Sequence, residues 1–382
     1  MTTFTIPALP GKFIATGARG VAILAIAAVV APSQAPATVR AGPPPFSWIE
    51  VVPGVYATVE PRALALSPFV HGNSVFVVTD SEVVAFDANH AASAARATLT
   101  QLRAVTANPV RTLALSHWHG DHTLGIQAFV DAFPGIRIIA TDSTRNDMVR
   151  AVVPLAKRTA ADMEKINRRY DSLATAGVDL AGRPLTPARR EQWRQTRDAY
   201  RRYYSPEALE FRIYPPTTTF AREMTLWSGS TEIQLLSFGR GDTRGDAVLW
   251  LPRERVLATG DVLVDPAPYS GAQHPGEWLE FLRSMRALNP LHIVPGHGNV
   301  MHDTKYLDLV IAATDSTIRV VRRLAAADPA LTEDAMAKRV TMEEFRQQFT
   351  HGDPLTDDRW LDFVDGLVRG AFLEARGTSG RK

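Results

Sequence analysis

From Trp48 onward, short β-branched runs alternate with turn residues, and the apolar positions in Val51–Val59, Ser74–Thr79, Glu82–Phe86 and Arg111–Leu115 predict strands. Between them, Ala91–Val105 carries helical spacing. A second stretch repeats the theme, with a helix over Leu124–Phe133 and strands over Ile136–Ala140, Thr231–Phe238, Ala247–Leu251, Val256–Thr259 and Leu291–Val294. Alternation of this kind predicts an α/β fold in which helices cover sheets.

A polar, arginine-rich stretch from about 142 to 206 interrupts the strand pattern and reads as a helical insertion, with helices over Ser143–Leu173 and Pro187–Tyr203. Its arginines, Arg168, Arg169, Arg189, Arg190, Arg194, Arg197, Arg201 and Arg202, are interspersed with acids. They mark either a solvated helical face or a surface for an acidic partner. Tyr200, Tyr203 and Tyr204 either pack the insertion on the body or close it over a site. From 303 to 382 the chain reads as a helical C-terminal extension, with helices over Lys305–Ala327, Thr332–Phe349 and Asp357–Glu374.

The amino terminus is a separate object. An apolar run over residues 20–31 follows Lys12 and Arg19 and precedes small residues at Ala35 and Ala37, the pattern of a secretory signal peptide over 1–37. The run is shorter than the roughly 20 residues a membrane span needs. An exported protein, periplasmic or secreted, with no stable span after cleavage is therefore expected, an uncleaved anchor being the alternative. Residues 38–47 are a Pro/Ala/Gly-rich linker, leaving 48–302 as the main domain.

Charge and cysteine usage narrow the chemistry. The 382-residue chain balances 42 Lys and Arg against 40 Asp and Glu, which gives no electrostatic case for nucleic acid. It contains no cysteine, excluding disulfides, thiolate metal sites and a thiol nucleophile. Any metal chemistry must use imidazoles and carboxylates.

Such groups are concentrated in Ser116-His117-Trp118-His119-Gly120-Asp121-His122, directly after the strand at Arg111–Leu115. Three imidazoles and a carboxylate in one loop at a strand's C-terminal end meet the needs of a divalent ion. His117 and His119, two apart, point one way if extended geometry continues, whereas Asp121 and His122 turn toward a neighbouring point, an arrangement for two metals rather than one.

With this run the chain resembles the metallo-β-lactamase superfamily, whose signature is His-x-His-x-Asp-His after a strand. Further segments fit in order: Asn73 in His71-Gly72-Asn73-Ser74, Asp87 in Ala85-Phe86-Asp87-Ala88, Gly260-Asp261 and Pro295-Gly296-His297-Gly298. The resemblance implies a four-layer αββα sandwich with the site at one edge of two sheets. It also implies a first metal site of His117, His119 and Asp242 and a second of Asp121, His122 and His297, with Asp261 bridging. Gly239-Arg240-Gly241-Asp242-Thr243-Arg244-Gly245-Asp246 departs from the family pattern, because Asp242 stands where a histidine ligand is usual. Asp242 is then either an oxygen ligand, moving preference from zinc toward harder ions such as Mn or Fe, or a turn residue. Asp87 and Asp246 are candidates to orient the ligands, and Trp118, Tyr269 and His274 to line the substrate pocket.

One or two Zn2+ per chain, or Fe or Mn in their place, would lower the pKa of bound water from 15.7 toward about 7 and polarise the scissile group. Asp121 would orient the attacking hydroxide or carry its proton. The resemblance thus implies a secreted hydrolase acting on a β-lactam, lactone or related ester or amide. Within the same superfamily, a glyoxalase II-like thioesterase and an iron-dependent oxidoreductase resembling persulfide dioxygenases are the alternatives.

Overall fold

A computed structural model describes residues 46–59, 72–178, 184–268 and 273–378. The proposed signal peptide and Tyr269 lie outside the described residues.

Two sheets face each other. The first contains β1 (Ser47–Val52), β2 (Val55–Val59), β3 (Ser74–Val78), β4 (Val83–Phe86), β5 (Val110–Ala114), β6 (Arg137–Thr141) and β7 (Thr218–Phe220), in that order. Its first four strands pair antiparallel and its last four parallel. The second contains β8 (Glu223–Ser228), β9 (Thr231–Leu236), β10 (Val248–Leu251), β11 (Val256–Ala258) and β12 (His292–Val294), antiparallel except for the parallel pair β11 and β12.

Strand alternation sends one set of side chains between the sheets, where Val75, Phe86, Ala114, Ile233, Leu249 and Val294 share a buried apolar layer. The opposite face of the first sheet packs under the helix Ala92–Val105, the helix Ile126–Ala132 and the 142–206 stretch, in a cluster holding Phe76, Leu113, Phe129, Tyr170 and Trp193. The opposite face of the second packs under Pro275–Ala287, Lys305–Ala327 and Pro354–Ala375, around Trp250, Trp278, Val310, Trp360 and Phe363. This is the αββα sandwich that the resemblance implies, and the helices after residue 303 form part of its outer layer.

Several expected elements divide where the backbone demands it. Val51–Val59 is a hairpin rather than one strand, because Pro53 has no N–H for the ladder and Gly54 takes φ 82°. The expected helix over Ser143–Leu173 splits into Asp142–Ala151, a tight turn over Val153–Lys157 and Ala160–Thr175, with Pro154 at the break and Thr159 capping the last. Thr332–Phe349 is two helices, Glu333–Arg339 and Glu343–Thr350, separated where Met342 takes φ 52°. β7 and β8 were not foreseen; β7 has three residues, and β8 is an edge strand with partly exposed faces.

Strand direction places the site. β4, β5 and β6 run parallel, so their C-terminal ends lie on one edge. There the chain supplies Asp87, the His117–His122 loop and Thr141. In the facing sheet β9, β11 and β12 also run in one direction, and their ends lead to Asp242, Asp261 and His297.

Candidate metal centre

All seven side chains expected as ligands meet at this edge. The ligand atoms of His117, His119, Asp242 and Asp261 lie within 4.8 Å of one another, as do those of Asp121, His122, Asp261 and His297. Asp261 belongs to both groups. Its Oδ2 is 3.9 Å from His117 Nε2, and its Oδ1 is 3.1 Å from His122 Nε2 and 3.5 Å from His297 Nε2. Asp242 Oδ2 stands 3.0 Å from His119 Nδ1 and 3.6 Å from His117 Nε2, and Asp121 Oδ2 stands 3.0 Å from His297 Nε2 and 3.6 Å from His122 Nε2.

These separations fit divalent ions. Ligands about 2.0–2.2 Å from a tetrahedral ion stand roughly 3.3 Å from one another. His117 Nε2 and Asp242 Oδ1 are buried with no hydrogen-bond partner, a costly condition for polar atoms that a cation relieves. The donor set of four imidazoles and three carboxylates, with no sulfur, suits zinc, manganese or iron.

The imidazoles are aimed from behind. Asp87 accepts from Ser116 N at 2.8 Å, Ser116 Oγ at 2.7 Å and His122 Nδ1 at 2.8 Å. Ser116 spends its proton on Asp87, so its oxygen accepts from His117 Nδ1 at 2.9 Å. Both rings are thereby held with Nε2 turned to the centre, the atom a metal ion would take. Asp87 itself adopts φ 63°, a left-handed turn immediately after β4 that Asp tolerates better than most residues.

Other contacts fix the loops. Asn73 donates from Nδ2 to Pro295 O and Gly298 O, both at 2.9 Å, tying the His297 loop to the first sheet. Gly296 is required by close approach, since a Cβ there would lie 2.0 Å from Asp261 Oδ1. Asp246 touches no imidazole; it accepts from Thr243 N and Oγ1 and shapes the turn carrying Asp242. Arg244 in that turn makes a bidentate pair with Asp147 at 2.6 and 2.7 Å, while Thr141 and Thr144 donate to Gly245 O. The pairing of Asp147 with Arg244 leaves no mark in the sequence because 97 residues separate them.

Burial and mutual charge together set the protonation of these groups. Burial lowers the His117 imidazole well below its usual value, and His122 and His119 lower it further. Burial also opposes charge on His122, but Asp261, Asp87 and Asp121 outweigh it and raise that ring well above the usual value. Asp121 and Asp261, which burial alone would raise, are instead held low by His122 and His297. Burial and the neighbouring Asp242 push Asp246 up.

Trp118 is half-buried, with its ring edge-on to His119 at 4.5 Å. His274 is also half-buried, before the helix Pro275–Ala287, and burial and Arg240 lower its pKa. Among the described residues no helix is long and apolar enough to cross a membrane.

No curated protein sequence matches this chain significantly. In structure it resembles a metallo-beta-lactamase from Pontibacter korlensis, at 15% identity and TM-score 0.49 over 71% of this chain and 99% of the other. It also resembles the stereoselective inverting sec-alkylsulfatase Pisa1 from Pseudomonas sp., at 15% identity and TM-score 0.54 over 86% of this chain and 50% of the other; the likeness is one of fold. The family model of the metallo-beta-lactamase superfamily matches residues 67–297. The chain belongs to the metallo-beta-lactamase superfamily.

Proposed function

We propose that the protein is an exported metal-dependent hydrolase that cleaves a small-molecule substrate of the β-lactam, lactone or related ester or amide class. The observation that carries this reading is the pair of His/Asp groups sharing Asp261 at the sheet edge. His117, His119 and Asp242 would hold one ion and Asp121, His122 and His297 the other, with Asp261 between them. Zinc is the ion proposed, and the carboxylate at Asp242 admits Mn or Fe at the first position. Divalent ions held there supply a water acidified toward neutral pH and a Lewis acid beside the scissile bond.

The protein's own groups divide the remaining work. Asp242 and Asp261 have side chains only 1% and 2% exposed, whereas those of His119 and Asp121 are 16% and 18% exposed, so the centre opens toward solvent on that side. Asp121, ionised and steadied by His297, is placed to orient the attacking water and receive its proton. Asp87 and Ser116 hold His122 and His117 still behind it, which limits rearrangement as charge develops. The signal-like run at residues 20–31 supports export.

Elemental analysis of the purified protein, coupled to hydrolysis assays on β-lactam, lactone, thioester and sulfate-ester substrates, tests the reading. Expected are one to two equivalents of zinc and turnover that disappears on chelation and returns with metal. Activity surviving exhaustive chelation would overturn it.

A further inference from the structure

Tyr204 and Arg158 both belong to the 142–206 stretch and have no role in holding the metal groups. The helix Pro187–Ala199 continues into a π-helical turn over Tyr200–Tyr204, closed by Ser205 N donating to Tyr200 O at 2.8 Å. The widened turn re-aims the side chains that follow it. Tyr204 is 3% exposed, and its ring packs on His90 with centroids 4.2 Å apart. His90 lies in the loop after β4, which is bonded directly to the metal loop. Ala88 N donates to His122 O at 2.8 Å, Asn89 Nδ2 to Gly72 O at 3.1 Å, and Gly72 N to Asp121 O at 3.1 Å. The phenol is therefore seated against the Asp121 side of the centre.

We propose that Arg158 and Tyr204 form an oxyanion-binding subsite beside Asp121, which takes the carboxylate or sulfate-type group of an anionic substrate. The buried Tyr204 hydroxyl and the buried Nη1 of Arg158 make no hydrogen bond of good geometry, though the two groups lie close enough to interact with each other. Among the described residues Arg158 makes no ion pair: Asp162, close enough to feel its charge, accepts from Thr159 N and Oγ1 instead, and Asp171 pairs with Arg201. Burial raises the Tyr204 phenol to about 12; Arg158 beside it acts to lower it and Asp121 to raise it. The hydroxyl is thus a proton donor at neutral pH, within electrostatic reach of both the Arg158 guanidinium and Asp121. A cationic donor next to a neutral donor, with no carboxylate of the described residues paired to either, matches a group with two or three partly charged oxygens.

This inference rests on the hydrolase reading only in placing substrate in the same cleft, and binding tests it without turnover. Zinc-loaded wild type, R158Q and Y204F are titrated calorimetrically with 4-nitrobenzoate, 4-nitrobenzenesulfonate and the uncharged 4-nitrobenzamide. Wild type should bind one of the two anions about tenfold more tightly than the amide, and the tighter anion identifies carboxylate or sulfate-type recognition. R158Q should lose most of that preference and Y204F part of it, with zinc content and amide affinity unchanged. Anions drawn by the metal alone would bind R158Q as tightly as wild type, and that result, or equal loss for all three probes, overturns the subsite. If R158Q fails to fold, Y204F with unaltered anion preference does the same. Absence of turnover on every substrate alongside an Arg158-dependent anion preference would sink the hydrolase reading and leave the subsite standing.

Discussion

Asp87 Oδ2 lies 2.8 Å from His122 Nδ1, and the same carboxylate reaches His117 through Ser116, so one buried side chain stands behind an imidazole of each metal group. Asp87→Ala would free both rings to turn and leave Ser116 without its acceptor. Zinc affinity should fall about 10- to 100-fold, read by competition with a chromophoric chelator. Wild-type affinity in the variant would contradict the role given to Asp87.

The turn bearing Asp242 is clamped by the Asp147–Arg244 pair across 97 residues of sequence. Asp147→Ala should loosen the first group by about tenfold while sparing Asp121, His122 and His297. Dialysis against a weak chelator followed by elemental analysis should then leave one equivalent where wild type keeps more. Equal loss from both groups would show that the clamp acts on the fold at large.

Asp242→His replaces an oxygen donor by an imidazole close to His117 and His119. Zinc should bind the first group more tightly, by tenfold or more, and manganese more weakly. Unchanged metal selectivity would remove Asp242 from the ligand set.

Burial works against charge on His119, but Asp242, Asp121 and Asp261 together raise its pKa from 6.5 to about 8 in the metal-free protein. Because the folded value is the higher one, the protonated ring contributes stability that is fully present below pH 6.5 and lost as pH rises through about 8. Zinc must displace that proton. Calorimetry at pH 7 in buffers of different ionisation enthalpy should therefore detect proton release on zinc binding, with apparent affinity climbing across this interval. Zinc uptake without proton release would contradict the assignment.

The identities of the chemical groups were legible in the chain because they are local. His117, His119, Asp121 and His122 occupy one loop whose donor density has no economical alternative use, and Asp261 and His297 each follow a short apolar run that reads as a strand. The central strands were visible for the same reason: buried on both faces, they are short continuous apolar runs bounded by turn residues. The hairpin at Pro53-Gly54 was missed because apolar residues continue on both sides of the turn, and β7 because three residues are too few to show a period.

What the sequence determined by itself was which side chains could bind a cation and which segments form the layers. Tertiary structure alone decided that His297 meets Asp121 across 176 residues, that Asp147 holds the Asp242 turn, and that Tyr204 packs on His90 with Arg158 beside it. The physical reason is that strand direction and loop packing bring distant ends to one edge, and no local propensity encodes which distant residue will lie there.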